Sequence, residues 1–408
     1  MNTSEIRELV REQVMDSLLP GEELSEAKLR QIIGHFIREF SHERYIRLEE
    51  KKRIKQDIFN SIRKMDVLQD FLEDEDITEI MVNGAKQIFI EKEGRLQLTK
   101  REFSSLDKLE SIVQQIASKG NRIVNESSPL LDVRMTDGSR VNIVLPPVAI
   151  GGPVITIRKF PKDALTMEDL ISFGAITIES ANMLKKLVQA KYNIFISGGT
   201  GSGKTTFLNI LSNYIPTDER IVTIEDSAEL RIQSVSNLVS LEARNANIEG
   251  KNEVTIRELI RCAMRMRPDR IIVGEVRDAA AIDMLAAFNT GHDGSLSTGH
   301  ANSPLDMMRR LETLVLMGMD IPIAAIRQQI TSAIDILVHL GRLRDKSRRV
   351  LEISEVGKDG QDQIFLYPIY VFEEDGEEDG RITGNLIRSS HLLQNNEKLR
   401  RNSHENQL

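Results

Sequence analysis

Residues 193–206 read NIFISGGTGSGKTT. The first five residues form a short apolar run, which is typical of a buried β-strand. The glycine-rich segment after them fits the pattern G-x-x-x-x-G-K-[ST], and TTFLNILSNYI then has helical spacing. A strand, such a loop and a helix in this order bind phosphate, because backbone N–H groups converge on phosphate oxygens at the helix N-terminus. We therefore predict nucleotide-binding residues at Gly198, Gly199, Thr200, Gly201, Ser202, Gly203, Lys204, Thr205 and Thr206.

The loop also predicts a cofactor pair, ATP and Mg²⁺. Lys204 is placed to neutralise the β- and γ-phosphates, and Thr205 to offer its hydroxyl to the metal. Hydrolysis requires two further kinds of group, an acid that holds the metal's waters and one that orients the attacking water. We therefore look for carboxylates at the ends of neighbouring strands.

Residues 176–355 alternate apolar strands with helices, which predicts an α/β domain around a largely parallel sheet, a RecA-like P-loop motor. The strands are expected at 193–197, 220–226, 270–276, 295–301 and 335–340. The carboxyl ends of parallel strands meet in one crevice.

Two of these strands end in carboxylates. We expect Glu225 and Asp226 to hold the metal, with Glu225 also taking part in catalysis. Glu275 is expected to be the principal catalytic acid, because Gly274 before it leaves room for phosphate and water. Asp226 has an alternative interpretation as a helix cap or solvated strand end, and so has Asp278, which is placed to cap the next helix.

His300 ends another predicted strand, so it is a candidate for a hydrogen bond to the γ-phosphate, with a purely structural histidine as the alternative. Arg267 lies just ahead of the acidic strand and is a candidate for contact with phosphate or an adjoining subunit. A stripe of three arginines in the preceding helix predicts a solvated face, with an intersubunit surface as the alternative. These are Arg257, Arg261 and Arg265.

The flanking segments differ in pattern. Residues 1–62 predict a small helical module, and 65–160 an α+β domain with Asn83-Gly84 as a turn. In that domain Arg140 and Arg158 lie on predicted strands, as solvent-facing residues or as functional ones. Two segments remain, and they are predicted as a linker (161–175) and as a hairpin followed by a disordered polar tail (356–408).

Composition narrows the classes of protein. A length of 408 residues favours two or three domains, and 40% apolar with 28% charged residues is ordinary for a globular protein. The single cysteine, Cys262, excludes an intrachain disulfide and is expected to pack within a helix. A net charge of −8 disfavours nucleic acid as a stable partner.

Because no apolar run is long enough to cross a bilayer and no signal peptide is recognisable, we expect a cytoplasmic protein.

Seven stretches together resemble the type II/IV secretion-system ATPases, and most closely the CpaF branch that powers Tad-type pili. They are ITEIMVNG, DGSRVNIVLPP, ITIRKF, SGGTGSGKTT, TIEDSAEL, RMRPDRIIVGEVR and STGHANSP, within about residues 65–345. The resemblance implies that Glu225 and Asp226 form an Asp box, that Glu275 is the Walker B acid and that His300 belongs to a His box. As in the CpaF branch, there is no four-cysteine zinc module.

The same resemblance implies a homohexameric ring, with ATP between the N-terminal and motor domains and completed by a neighbouring subunit. It implies that Arg140 and Arg158 are brought to the nucleotide phosphates. It also implies an inner-membrane platform protein as partner, and hence a position at the cytoplasmic face of the membrane. Two other classes stay open, a DNA translocase or helicase and an ATP-binding docking scaffold with little turnover.

Overall fold

The computed structural model describes residues 3–18, 24–43, 45–92, 94–160, 165–244, 252–360 and 363–405. The chain divides into two compact units, Met1–Lys162 and Asp163–Leu408. Within the described ranges no helix combines the length and the apolar character needed to cross a membrane. The division into five smaller segments stays a prediction.

Unit 1 begins with three helices, α1 (Thr3–Asp16), α2 (Glu26–Glu43) and α3 (Leu48–Arg63). Their apolar residues recur at helical spacing and pack against one another in a small core of their own, which includes Val10, Ile33 and Ile58. Helices therefore occupy the segment that was predicted to be helical.

The rest of unit 1 is a six-stranded antiparallel sheet in the order β3-β2-β1-β6-β5-β4. Its elements are α4 (Leu68–Glu73), β1 (Ile77–Asn83), β2 (Gln87–Lys92), β3 (Arg95–Leu98), α5 (Leu106–Lys119), β4 (Leu130–Arg134), β5 (Arg140–Val144) and β6 (Val154–Arg158). The buried face of α5 joins the apolar strand residues in one core. Gly84 has φ 68°, as the turn predicted between β1 and β2 requires.

Unit 2 contains a nine-stranded sheet, of which six strands are parallel in the order β12-β7-β11-β10-β8-β9. The elements up to this point are α6 (Met167–Ser172), α7 (Ile178–Gln189), β7 (Ile194–Gly198), α8 (Lys204–Ser212), β8 (Arg220–Glu225), β9 (Asn237–Glu242), α9 (Ile256–Ala263), β10 (Arg270–Val273), α10 (Ala280–Phe288), β11 (Leu296–His300), α11 (Pro304–Gly318), α12 (Ile323–Ala333) and β12 (Ile336–Arg342). All five predicted strands are present, and β9 is an addition.

Helices cover both faces of this sheet. Along β7, Ile194 and Ile196 join the core that contains α7 and α8, whereas Phe195 between them joins the core that contains α9 to α12. Successive side chains of a strand point to opposite faces, so an unbroken apolar run is what a doubly covered strand requires.

Three antiparallel strands extend the sheet beyond β12, namely β13 (Arg348–Lys358), β14 (Ile364–Glu378) and β15 (Arg381–Arg388). The motor sheet therefore continues past residue 355, where the sequence placed its end. Most of the acidic run at 372–380, expected to be a turn-rich segment, lies in β14. Arg344 offsets part of that charge through ion pairs with Glu374 and Glu377.

The prediction of a disordered tail is wrong for the described part of the C-terminal segment. The hydroxyl of Tyr192 donates to the carbonyl of Asn395. Glu355 accepts hydrogen bonds from the backbone N–H groups of Gln394 at 2.9 Å and Asn395 at 2.7 Å. Because these polar residues satisfy buried groups of the motor, the segment is fixed, and α13 (Glu397–Glu405) follows it. Residues 161–164 of the predicted linker and 406–408 of the tail lie outside the described residues.

Candidate active site

The loop between β7 and α8 has a backbone that only glycine adopts easily. Gly198, Gly201 and Gly203 have φ of 153°, 72° and 96°. A Cβ on Gly198 would lie 2.4 Å from the carbonyl oxygen of Leu340 and 2.6 Å from Ser202 Oγ. A Cβ on Gly201 would meet nothing within 4 Å, so that part of the loop is open. The loop is thus a concave rim of backbone in front of the first turn of α8.

A chain of polar side chains crosses this edge of the sheet from β7 to β10. Lys204 is buried, and its Nζ donates to the carbonyl of Gly199 at 2.9 Å and lies 3.1 Å from His300 Nδ1. His300 Nε2 lies 2.9 Å from Glu275 Oε1, although the angles are not those of a hydrogen bond. Arg277 donates to Glu275 Oε2 at 3.0 Å. The predicted residues Lys204, His300 and Glu275 are therefore brought together.

Burial lowers the pKa of His300 below its ordinary value, the Lys204 ammonium lowers it further, and Glu275 opposes both effects. The neutral imidazole is therefore favoured at neutral pH. In that form Nδ1 accepts from the ammonium of Lys204, which leaves the ring N–H on Nε2, facing Glu275. The histidine is thus set between a cation and a carboxylate.

The two other predicted acids reach the same edge in different ways. Glu225 is buried, and its Oε1 accepts backbone hydrogen bonds from Glu229 at 2.9 Å and Leu230 at 3.0 Å. Asp226 is exposed, and its Oδ2 lies 3.4 Å from Arg277 Nη1. The carboxylate of Glu225 thus holds the backbone of the loop that follows β8.

The structure gives a reason for the glycine before Glu275 that the sequence did not predict. A Cβ on Gly274 would lie 2.9 Å from Glu225 Cγ. The missing side chain therefore makes room for the side chain of Glu225, and room for phosphate and water stays a prediction. Asp278 behaves as expected of a cap, because its Oδ1 accepts a hydrogen bond from the backbone of Ala280 at 2.8 Å.

Two buried polar atoms at this edge have no hydrogen-bond partner within the described part of the chain, Ser202 Oγ and Glu275 Oε1. Buried polar groups are normally paired, so each atom is suited to a ligand. An open loop, a buried ammonium, the half-buried hydroxyl of Thr205 and a carboxylate suit a nucleotide with Mg²⁺, which prefers oxygen ligands. The residues present therefore fit both groups.

In unit 1 the structure brings Arg140 and Arg158 together. They are directly opposite each other in the register of β5 and β6, at the first residue of one strand and the last of the other. Arg158 is exposed and Arg140 is half-buried. The pair places two guanidinium-bearing residues at one end of that sheet.

The structure does not bring Arg267 to the P-loop. Arg267 is exposed and precedes β10, so it lies at the amino ends of the parallel strands, opposite the edge that carries Lys204. This position contradicts the predicted contact with phosphate. The other alternative, contact with an adjoining subunit, stays a prediction.

The arginine stripe of α9 is only partly solvated. Arg257 and Arg261 donate to the two carboxylate oxygens of Asp283 at 2.6 and 2.7 Å, so the expectation of a solvated face is wrong for the half-buried Arg257, whereas Arg261 and Arg265 are exposed. Asp283 belongs to α10 and is buried, and a buried carboxylate needs charged hydrogen-bond partners, which the two arginines supply. Cys262 is exposed rather than packed, because it points away from the side of α9 that buries Ile260.

Three residues of the site were not found from the sequence. Arg277 had a signal, since it follows Glu275 by two positions in a stretch already recognised. His339, whose Nδ1 lies 2.8 Å from Ser197 Oγ at the base of the P-loop, also had one, because it interrupts an apolar strand. Arg348, whose Nε donates to the carbonyl of Gly201 at 2.9 Å, had none, since 147 positions separate the two residues.

A family model described as "Type II/IV secretion system protein" matches residues 63–379. The chain belongs to this family. Among its members, the type IV secretion system protein PtlH of Bordetella pertussis is 34% identical over 316 residues, which cover 71% of this chain and 93% of PtlH. The conjugal transfer protein TrbB of Rhizobium radiobacter is 34% identical over 289 residues, 70% of this chain and 85% of TrbB.

The fold of the type II/IV secretion family is also found in solved structures. The pilus retraction motor PilT, solved with bound ADP, matches with a TM-score of 0.52 at 16% identity, and the match covers 84% of this chain and 88% of PilT. That likeness concerns the fold alone. It confirms the predicted fold class, a RecA-like motor with a preceding N-terminal domain.

Proposed function

We propose that this chain hydrolyses ATP with Mg²⁺ and works as a homohexameric cytoplasmic motor for a Tad-like pilus or secretion machine. The observation that carries the enzymatic part is the chain of Lys204, His300 and Glu275 across the edge where the P-loop opens. Phosphoryl transfer to water is catalysed by positioning and by stabilisation of charge, and a buried cation, a neutral imidazole and a carboxylate with an unpartnered oxygen can supply both.

Each side chain has one role in this proposal. Backbone N–H groups of the P-loop bind the phosphates, and Lys204 offsets their negative charge. Glu275 orients the attacking water through Oε1, while Arg277 holds Oε2. His300 donates a hydrogen bond from Nε2 toward the γ-phosphate once the nucleotide separates it from Glu275. Water exclusion at this edge strengthens all of these interactions.

Mg²⁺ would supply positive charge that offsets the charge of the phosphates. Thr205 and Asp226 are the residues that would hold it in this proposal. Glu225 acts beside them mainly by fixing the loop that follows β8, as its two backbone hydrogen bonds indicate.

The proposed ring gives the remaining arginines their function. Arg140 and Arg158 supply positive charge to the nucleotide held by unit 2 of the same or a neighbouring subunit. Arg267 lies at the far edge of the motor sheet, so in the proposal it contacts an adjoining subunit. Membership of the secretion family supports a multisubunit motor.

In this proposal, ATP hydrolysis drives a membrane-anchored machine that includes a platform protein in the inner membrane. Two relatives named above, PtlH and TrbB, are described as type IV secretion and conjugal transfer proteins. The motif pattern favours the CpaF branch within this family. The nucleic-acid motor and the low-turnover scaffold are the outcomes that the tests below would reveal.

The first test compares Glu275→Gln with Asp278→Asn. We expect Glu275→Gln to lower kcat by about 10²- to 10³-fold, because the water loses its orienting carboxylate. Asp278→Asn changes an acid three positions away that only caps α10, and should hydrolyse ATP like the wild type. ADP affinity should stay within about threefold in both variants. A Glu275→Gln chain as fast as the wild type contradicts the assignment, and a wild type that binds nucleotide without phosphate release supports the scaffold.

The second test concerns shared sites. A chain with Arg140→Ala and Arg158→Ala is mixed with a Lys204→Ala chain, each inactive alone. Recovery of activity at intermediate ratios is expected if arginines serve a neighbour's nucleotide. Absence of recovery at every ratio counts against action between subunits. Addition of single- or double-stranded DNA should leave the rate unchanged, and stimulation would favour the translocase.

A further inference from the structure

The hairpin formed by β12 and β13 carries two arginines that have no role in the mechanism above, Arg342 and Arg348. Both are exposed, and the antiparallel register places them directly opposite each other. The same register pairs Leu340 with Val350, and both of these apolar residues lie in the core that contains α7 and α8. Because alternate residues of a strand point to the same face, the two arginines project on the side of the sheet that carries α8.

This part of the hairpin adjoins the P-loop. The parallel register of β12 and β7 pairs the second residue before Arg342 with Gly198, the first residue of the loop. Nε of Arg348 donates to the carbonyl of Gly201 at 2.9 Å, and its Cδ would lie 3.7 Å from a Cβ on Gly203. The guanidinium group of Arg348 therefore lies at the rim of the loop.

The positive charge of this pair is not balanced within the described part of the chain. There, no ion pair joins Arg342 or Arg348 to a carboxylate. Asp345, the acid of the same hairpin, accepts hydrogen bonds from Ser347 at 2.9 and 2.7 Å and from the backbone of Ile382 at 2.8 Å. Like charges directly opposite each other in a strand pair are destabilising. An anion between them removes that cost, and guanidinium groups bind phosphate oxygens with paired hydrogen bonds.

The position of the pair indicates which part of a nucleotide it would meet. In the sheet order β12 lies on one side of β7, whereas β11, which ends in His300, and β10, which precedes Glu275, lie on the other. In the proposed mechanism His300 and Glu275 face the γ-phosphate. The arginines approach the P-loop from the opposite side, where the phosphate that carries the nucleoside would lie.

We propose that Arg342 and Arg348 form an anion site, which binds the phosphate chain of the nucleotide at its nucleoside end. This inference rests on the proposed function, which places a nucleotide in the P-loop with its γ-phosphate toward Glu275. The contact with Gly201 holds Arg348 at the rim, and Arg342 faces it across the strand pair. Both side chains bind the nucleotide and take no part in orienting water, so their loss should change Kd more than kcat.

The binding test starts from Arg342, which makes no hydrogen bond to the P-loop within the described residues. At low ionic strength Arg342→Gln should raise the Kd for ADP by about 5- to 20-fold, with kcat at saturating ATP changed less than about twofold. Arg342→Lys keeps a charge that binds phosphate and should stay within about threefold of the wild type. Arg348→Gln should raise the Kd at least as much as Arg342→Gln, because it also loses the contact with Gly201.

A matched control and the salt dependence identify the kind of contact. Lys346→Gln removes a charge from the turn of the same hairpin, and should leave the Kd within about twofold of the wild type. At 1 M NaCl, where the Debye length is about 3 Å, the loss in Arg342→Gln should shrink to less than about threefold. A loss that is equal at both salt concentrations indicates contact with the base or sugar and overturns the inference. An equal loss in Lys346→Gln, or wild-type affinity in Arg342→Gln, also overturns it.

A measurement without turnover keeps this inference separate from the proposed function. Without nucleotide, Arg342→Gln should raise Tm by about 1–2 °C, because one of two opposed cations is gone. Saturating ADP should then raise Tm less than it does in the wild type. A lower Tm of nucleotide-free Arg342→Gln assigns the residue a structural role and overturns the inference.

The two proposals fail in different ways. If ADP binding weakens in Arg342→Gln as expected while the wild type releases no phosphate from ATP, the anion site holds and the ATPase proposal fails. If the wild type hydrolyses ATP and Arg342→Gln binds ADP with unchanged affinity, the ATPase proposal holds and the anion site fails.

Discussion

The two edges of the parallel sheet in unit 2 use charged and polar side chains in opposite ways. At the amino ends of the strands, Arg270 and Asn193 are buried and make multiple hydrogen bonds. At the carboxyl ends, Ser202 Oγ and Glu275 Oε1 are buried without a hydrogen-bond partner within the described part of the chain. Satisfied groups fix a structure, whereas unsatisfied ones are available to a ligand. The amino edge therefore contains residues that stabilise the fold, and the carboxyl edge contains residues that are available to bind a ligand.

The amino edge is centred on Arg270, which has no exposed side chain. It donates to both oxygens of Glu219 at 2.6 and 2.8 Å and to the carbonyls of Val188 and Gly294 at 2.7 and 3.2 Å. Gly294 has φ 83°, and a Cβ there would lie 2.5 Å from Arg270 Nη1. One side chain therefore ties together the segments that precede β7, β8 and β11.

The largest expected effect comes from Arg270→Ala. This change removes the bidentate partner of the buried Glu219 carboxylate and leaves it with Lys191, whose Nζ is 3.8 Å from Oε1, so the free energy of unfolding should fall by about 3 kcal/mol. Urea unfolding measures the change. Removing both charges with Arg270→Met and Glu219→Leu should recover most of the loss, since the buried pair itself contributes little net stability. A loss below about 1 kcal/mol in Arg270→Ala would contradict the conclusion that the amino edge stabilises the fold.

Asn193→Ala is expected to have the second largest effect. The amide of Asn193 donates to the carbonyl of Ala333 at 2.8 Å and accepts from the N–H groups of Gly294 at 2.8 Å and Ser295 at 3.0 Å. Leaving these groups unpaired should lower the free energy of unfolding by about 1–3 kcal/mol. Asn289→Ala removes an exposed bond at 3.2 Å and should change it by less than about 0.5 kcal/mol. Equal effects in urea would count against the argument.

The pH dependence of hydrolysis tests the carboxyl edge. The pKa of His300 in the folded chain is lower than the ordinary 6.5, so the neutral ring persists below that pH. We expect kcat to be constant between about pH 6.5 and 8 and to fall up to tenfold per unit below the folded pKa. The stability that the neutral ring contributes is present above 6.5 and is lost as pH falls through the folded pKa. An acid limb with its midpoint above 6.5 would contradict the assigned environment.

The smallest expected effect concerns Lys398, whose Nζ lies 2.8 Å from Asp335 Oδ2. Burial raises the pKa of Asp335, and Lys398 opposes this, so ionised Asp335 is a destabilising group that the lysine offsets. Lys398→Ala should therefore lower the free energy of unfolding by about 1 kcal/mol at pH 7. The loss should shrink as pH falls through the folded pKa, because protonated Asp335 needs no cation. Denaturation at pH 7 and pH 4 checks this, and a loss independent of pH would refute the ionic origin.

The carboxyl edge was largely predictable from the sequence, and the amino edge was not. Glu275 and His300 follow or end parallel strands and Lys204 begins the helix after another, and parallel strands bring such ends together whatever the details of packing. Arg270 and Glu219 gave no such signal, because the sequence shows two ordinary charged residues 51 positions apart. Their pairing depends on tertiary packing, as does the contact of Arg348 with the P-loop.

The C-terminal segment after residue 355 was partly mispredicted for a related reason. Local composition at 372–380 is acidic and turn-like, yet neighbouring strands and Arg344 hold most of it in β14. Residues 389–396 are polar and without periodicity, so the sequence predicted disorder, although their partners Glu355 and Tyr192 lie far away in the chain. Tertiary contacts override local preference in both segments.

The attachment of this C-terminal segment has a consequence for synthesis on the ribosome. The hydrogen bond from Lys398 to the carbonyl of Lys191 spans 207 positions, and that between Tyr192 and Asn395 spans 203. Unit 1 has all of its residues available early, whereas the amino edge of the motor sheet closes only after residue 398 has emerged. Nascent chains that end before residue 398 therefore lack these hydrogen bonds, and we expect the amino edge of their motor sheet to be incomplete.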